Sequence, residues 1–183
     1  MIQHPQRIPL RDLDTLSPDD RAHAERLRVG GQLYNIFRVM MNHPALARRW
    51  GVFASHILHK QTLPVREREM LILRIGWLNQ ARYEWAQHSR IAKAAGLTDD
   101  EIGRIAEGPG AGWSDEDRAL LQAADDLYEN SVIAPERWQA LGARYSTEQM
   151  MDLVFTIGQY NLVSWALNSF GVPLDADLPG ADR

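Results

Sequence analysis

Glu84 and His88 stand four residues apart in the segment ARYEWAQHSRIAKAAG. A helix turning about 100° per residue puts Ala81, Glu84, His88, Ile91, Ala92 and Ala95 on one side. Arg82, Ser89, Arg90 and Lys93 fall on the other. A carboxyl and an imidazole turned toward a core are the pair that general acid/base chemistry needs. Burial shifts both pKa values and obliges their polar atoms to find partners. The structural alternative is a buried ion pair that fixes helix packing, a weak contributor to stability.

A second carboxylate, Glu69, shares a helical face with Val65, Ile72, Leu73 and Gly76. Gly76 carries no side chain, so another helix can come close there. A break near Leu78–Gln80 lets the Glu84 helix fold back beside this one, and Glu69, Glu84 and His88 are then expected to converge.

The elements that must position these groups read as helices almost throughout. Ser17 before Pro18 is an N-cap with proline in the first turn. Thr98 with Glu101 and Ser146 with Gln149 make capping boxes, Ser114 with Asp117 is a near relative, and Gly96 closes the Glu84 helix. Helices are predicted at about 18–28, 31–42, 44–59, 65–78, 81–95, 98–106, 115–130, 135–143 and 147–170. No turn dipeptide joins alternating segments, so hairpins are not signalled. Residues 65–78 and 147–170 are apolar on every side, which suits a central helix or one buried against another subunit. The first 15 residues or so and the tail after Pro173 are expected to wrap a neighbouring surface or fray.

Composition narrows the classes. A chain of 183 residues is expected to form one domain, 1–183, with a core large enough to need no staples. There is no cysteine, which removes disulfides, thiolate metal sites and thiol nucleophiles. A net charge of −4 with interspersed Lys and Arg forms no basic stripe, so nucleic acid is not an expected partner. The N-terminus has no secretory h-region, and Asp152, Gln159, Asn161 and Asn168 interrupt the longest apolar run. No membrane partner is expected, and the location is read as cytoplasmic.

The spacing Glu69, Ala81, Glu84, His88 resembles the motif of the carboxymuconolactone decarboxylase and alkylhydroperoxidase D superfamily. In the peroxidase branch a glutamate precedes a Cys-x-x-Cys pair, and a histidine follows the second cysteine by four. Here Ala81 and Glu84 occupy the cysteine positions, while YEWAQH is similar to the decarboxylase branch. The flanks LPVRERE, IAKAAGLTDDEI and GQYNLVSWALNSFGVP agree, so the resemblance covers most of residues 30–173, behind an N-terminal extension of about 1–29. It implies an all-α multi-helix fold and a homo-oligomer, trimer or hexamer.

Peroxide reduction needs a thiolate and a resolving thiol, which this chain lacks. The decarboxylase branch needs no cofactor and no metal: its unsaturated lactone carries its own electron sink, and the protein supplies a proton. By resemblance His88 is then the general acid/base, Glu84 orients its ring or relays a proton, and Glu69 stands behind as a partner. A small, mostly apolar pocket with Glu84 and His88 at its polar end is expected. Tyr83, Gln159 and Tyr160 are candidates to line it. Arg74 and Arg38 are candidates to meet a substrate carboxylate. The expected function is cofactor-independent decarboxylation, isomerisation or hydrolysis of a small carboxylated lactone or carbonyl compound. Two alternatives are a non-catalytic oligomeric ligand-binding paralogue, and a metal-dependent lyase or oxygenase using Glu69, Glu84 and His88. His56 and His59, an i, i+3 pair, have no third ligand at a readable spacing, so metal binding is not expected there. Asp125–Asp126 reads as solvated helix surface and Asn168 as structural.

Overall fold

The computed structural model describes residues 1–179. After a 3-10 turn at Leu13–Thr15 come α1 (Pro18–Arg26), α2 (Asn35–Met40), α3 (Pro44–His59), α4 (Val65–Leu78) and α5 (Arg82–Ala94). Then follow α6 (Asp99–Glu107), α7 (Asp115–Asn130), α8 (Pro135–Gly142) and α9 (Thr147–Phe170). The fold is all-α, and the only β pairings among the described residues are two isolated bridges.

Local chemistry explains most boundaries. Both capping boxes form, and the Ser17 and Ser114 side chains accept from the backbone N–H groups of Asp20 and Asp117. The largest departure is α2, predicted from 31 but beginning at Asn35. Gly30 and Gly31 take positive φ, and Val29 and Gln32 exchange backbone hydrogen bonds of 2.9 and 3.0 Å, closing a tight turn where the helix was expected.

α4 is the hub, packed against α5, α6, α7 and α9. Its residues Glu67 through Gly76 are all buried, as its all-round apolar pattern predicts. α9 is different. Leu153, Ile157, Tyr160 and Leu167 face inward, whereas Met151, Phe155, Leu162 and Trp165 are exposed. The main core lies between α3, α4, α7, α8 and α9, and a second cluster lies between α4, α5, α6 and α7.

The terminal segments wrap rather than fray. Arg7 and Ile8 donate backbone N–H groups to Phe170 O, and Ile2 bridges to Ala81. Gly171 closes α9 in the left-handed region, and a Cβ there would stand 2.0 Å from Pro5 O, so glycine is required where the strap crosses. On the C-terminal side, the buried Asp175 carboxylate accepts from Asn35 N, Gln87 Nε2 and the Tyr83 hydroxyl. The predicted tail after Pro173 therefore docks, and its last four residues lie outside the described residues.

Asp125 and Asp126 correct the expectation of solvated acids. Asp125 holds Arg74, while the buried Asp126 holds Arg137 at 2.5 Å and caps Ala134 N. Arg137 lies 11 residues after Asp126 and Arg74 lies 51 before Asp125, so neither arginine could be matched to its carboxylate without knowing which helices touch.

Candidate active site

The elbow between α4 and α5 builds the site. Ala81 N donates to Gly76 O and Gln80 N to Trp77 O, both at 2.9 Å, with Gln80 left-handed at φ 56°. This reversal lays α5 back on α4. Gly76 then meets Glu84 face to face: a Cβ there would lie 2.9 Å from Glu84 Oε1. The close approach anticipated at Gly76 is thus made by the Glu84 carboxyl itself.

Glu69, Glu84 and His88 come together in the interior, at 0%, 2% and 7% exposure. Their pairing differs from the expected one. His88 Nδ1 bonds Glu69 Oε2 at 2.7 Å, so Glu69, not Glu84, orients the imidazole. Glu69 Oε1 takes the Arg68 guanidinium at 2.9 Å to Nε and 2.7 Å to Nη2. Arg68 Nη1 donates to Leu58 O at 2.6 Å, tying the group to α3. Glu84 makes none of these contacts, and both of its oxygens are buried without a hydrogen-bond partner.

The two carboxyls are consequently driven apart in protonation. At Glu69 burial opposes the charge, but His88 and Arg68 outweigh it and hold the group below the ordinary carboxylate range. At Glu84 burial dominates, the Glu69 charge adds to it, and the nearby Ser164 hydroxyl only partly offsets them, so its pKa is pushed well up. Two neighbouring carboxyls pushed in opposite directions, one toward the anion and one toward the neutral acid, form the pattern that divides acid and base roles. A carboxylate can only accept, so Nδ1 carries the imidazole proton toward Glu69. Nε2 is left with no protein partner among the described residues.

Tyr160 packs its ring edge-on to His88, with centroids 4.7 Å apart and planes at 85°. Burial, then the charge of Glu69, raise its hydroxyl well above the ordinary tyrosine value. Gln159 is buried beside it with Oε1 unpartnered.

Three candidates lie elsewhere. Tyr83 donates its hydroxyl to Asp175 and accepts from Ile36 N at 3.3 Å, so it ties down the C-terminal strap. Arg74 is spent on Asp125 at 2.6 Å and on the carbonyls of Ile105 and Ala106. Arg38 borders a cavity of about 510 Å³ in the N-terminal extension, with Asp12, Arg21 and Arg28. Asn168 donates to Asn79 O at 2.8 Å, the structural role expected of it.

The larger of two principal cavities, about 550 Å³, lies between the N-terminal strap and the ends of α5 and α9, bordered by His4, Arg82 and Asn168. Neither cavity is lined by Glu69, Glu84 or His88. Among the described residues no three His, Asp or Glu side chains form a group that could hold a metal ion.

Sequence reasoning missed Arg68, Ser164 and Asp175. Arg68 was visible as the neighbour of Glu69 in LPVRERE, and Ser164 falls one turn beyond Tyr160 on the same α9 face. Asp175 left no local signal, since its partner Tyr83 is 92 residues away.

Comparison with known proteins agrees with this architecture. Residues 44–126 match the model of the Carboxymuconolactone decarboxylase family. No curated protein matches the sequence. Among solved structures the chain is similar to the alkylhydroperoxidase AhpD core, an uncharacterized peroxidase-related protein from Ralstonia eutropha JMP134. That match has 22% identity and a TM-score of 0.83, covering 95% of each chain. An uncharacterized peroxidase-related protein from Silicibacter sp. TM1040 matches at 14% identity and TM-score 0.82, covering 100% of both. The debrominase Bmp8, solved in complex with 2,3,4-tribromopyrrole, matches at 19% identity and TM-score 0.73, over 94% of this chain and 93% of its own. Glu69, Glu84 and His88, on two back-folded helices, all lie within the stretch that matches the Carboxymuconolactone decarboxylase family model, and the fold is that of the AhpD-like structures.

Proposed function

We propose that this protein is a cofactor-independent acid/base enzyme acting on a small carbonyl or carboxylated compound, by decarboxylation, isomerisation or hydrolysis. One observation carries the reading. His88 is anchored at Nδ1 by an ionised Glu69 and free at Nε2, beside a Glu84 whose burial favours its neutral form. His88 is then the proton acceptor and Glu84 the donor, with Glu69 positioning the ring. This exchanges the roles first assigned to the two carboxyls. Thiol peroxidase chemistry is closed to a chain without cysteine, so the peroxidase-related neighbours lend their fold and not their reaction.

The test is turnover of a panel of unsaturated lactones, β-keto acids and unsaturated ketones by wild type, His88→Ala and Glu84→Gln. Loss of a positioned general base costs roughly 10²- to 10⁴-fold. Equal rates for all three proteins on every substrate turned over defeat the assignment. A non-catalytic ligand-binding role is the second reading, favoured by the principal cavities lying away from His88. It requires that wild type turn over nothing on the panel.

We further infer that copies of this chain assemble through α9. Met151, Phe155, Leu162 and Trp165 are exposed at spacings of four, seven and three, with Gly158 between Phe155 and Leu162 completing a heptad-like seam. Phe53 of α3 extends it through an edge-on contact with Phe155, 6.0 Å between centroids. A contiguous apolar stripe of this kind marks an interface. By resemblance the assembly is a trimer or hexamer. Phe155→Glu with Trp165→Glu is expected to lower the sedimentation mass to that of a smaller species, and an unchanged mass refutes the inference.

A further inference from the structure

Around His88 the interior holds more unmet hydrogen-bonding capacity than a packed core tolerates. Both Glu84 oxygens, Ser164 Oγ, Thr156 Oγ1 and Gln159 Oε1 are buried without partners. Thr156, Tyr160 and Ser164 follow one another at four-residue intervals on the inner face of α9, and Tyr160 meets the imidazole directly. Each orphaned buried group costs on the order of 1–3 kcal/mol. Such groups concentrate where a guest molecule supplies the missing bonds.

The charges around them decide what kind of guest. Glu69 is anionic, and the cation beside it, Arg68, is fully engaged by Glu69 and by Leu58 O. Arg74 and Arg38 are committed or placed elsewhere. A carboxylate entering here would leave water to face Glu69 with no free guanidinium or ammonium among the described residues to receive it. That desolvation is not repaid. Donors and acceptors of neutral type are plentiful by contrast: the Ser164, Thr156 and Tyr160 hydroxyls, the Gln159 amide and the Glu84 carboxyl.

We propose that the site takes a small, neutral, enolisable carbonyl compound rather than a carboxylate, and moves a proton between two of its carbons. This rests on the acid/base reading above and narrows it to isomerisation. His88 Nε2 takes a proton from the carbon beside the carbonyl. The C–H electron pair becomes a C=C bond, and the carbonyl π pair moves onto oxygen, which accepts a hydrogen bond from the Glu84 O–H. The imidazolium then returns the proton to the γ carbon of the unsaturated ketone, and the carbonyl re-forms. The product is an isomer of the substrate, so no oxidant, reductant or water enters the balance.

Phenol, a neutral planar mimic of the enol, and para-hydroxybenzoate, its carboxylated counterpart, are titrated into the full-length protein by calorimetry at neutral pH. Phenol is expected to bind roughly 100-fold more tightly, about 2.8 kcal/mol at tenfold per 1.4. Equal or tighter binding of para-hydroxybenzoate, or no binding of phenol, overturns the proposal. A second readout separates it from the broader reading. Proton exchange into a β,γ-unsaturated cyclic ketone is followed by NMR in D2O with wild type and His88→Ala. Exchange lost with His88 supports the proton transfer, and exchange unaffected by the substitution overturns it together with the acid/base reading. If carboxylated substrates alone are turned over in a His88-dependent way, the neutral-substrate proposal fails and the acid/base reading stands.

Discussion

Glu69→Gln is expected to inactivate the protein by roughly 10²- to 10⁴-fold while also destabilising it by about 3 kcal/mol. Two separate consequences follow from one atom. The carboxylate oxygen on His88 Nδ1 becomes an amide N–H when Gln is oriented to keep accepting from Arg68. An amide donor on Nδ1 forces the imidazole proton onto Nε2, so the ring presents a donor where it presented a lone pair. His88 stays in place but in the wrong tautomer. Meanwhile the Arg68 guanidinium, nearly buried, loses its counter-charge. Removing one partner of a buried ion pair strands the other, which is the costly half of such an interaction. Chemical denaturation measures the second effect and turnover the first. Full activity in a destabilised variant would show that Glu69 serves packing alone.

Glu84→Gln is expected to make stability less dependent on pH, with the variant gaining on wild type as pH rises. The folded pKa of Glu84 is raised well above the ordinary 4.5 of the unfolded chain. Below the unfolded value both states hold the proton and the group's contribution is fully present. Above it the unfolded chain releases a proton that the folded chain keeps, so stability drains away until pH passes the folded pKa. The gap between variant and wild type should widen by about 1.4 kcal/mol per pH unit across that window. Glu69 acts in the opposite sense. Its lowered pKa contributes stability above the unfolded 4.5, lost as pH falls through the folded value. Thermal unfolding of both proteins from about pH 5 to pH 8 reads the difference directly. A difference flat with pH would mean that Glu84 is ionised in the fold, and the division of acid and base roles would fall with it.

These two expectations differ from what the motif alone suggests. Spacing brings Glu84 and His88 onto one face, and the natural guess pairs residues one turn apart. A side chain on a helix leans toward the N-terminal turn, yet a partner across the helix interface can still lie closer to a ring nitrogen. Glu69 on α4 wins that competition at 2.7 Å, leaving Glu84 pressed on Gly76.

Local chemistry written in the chain determined a great deal. Ser17, Thr98, Ser114 and Ser146 start helices because their side chains satisfy the first free N–H groups, and Gly96 and Gly171 end them by taking positive φ. The absence of cysteine settled which reaction the chain could not perform. The buried run of α4 was legible because ten consecutive residues tolerate no outer face. Tertiary structure decided everything that depends on which helices touch. It gave Arg74 to Asp125, Tyr83 to Asp175 and His88 to Glu69, and left the stripe of α9 outside. Hydrogen-bond partners lying 19 to 92 residues apart are fixed by helix crossings, to which periodicity within any one helix is blind.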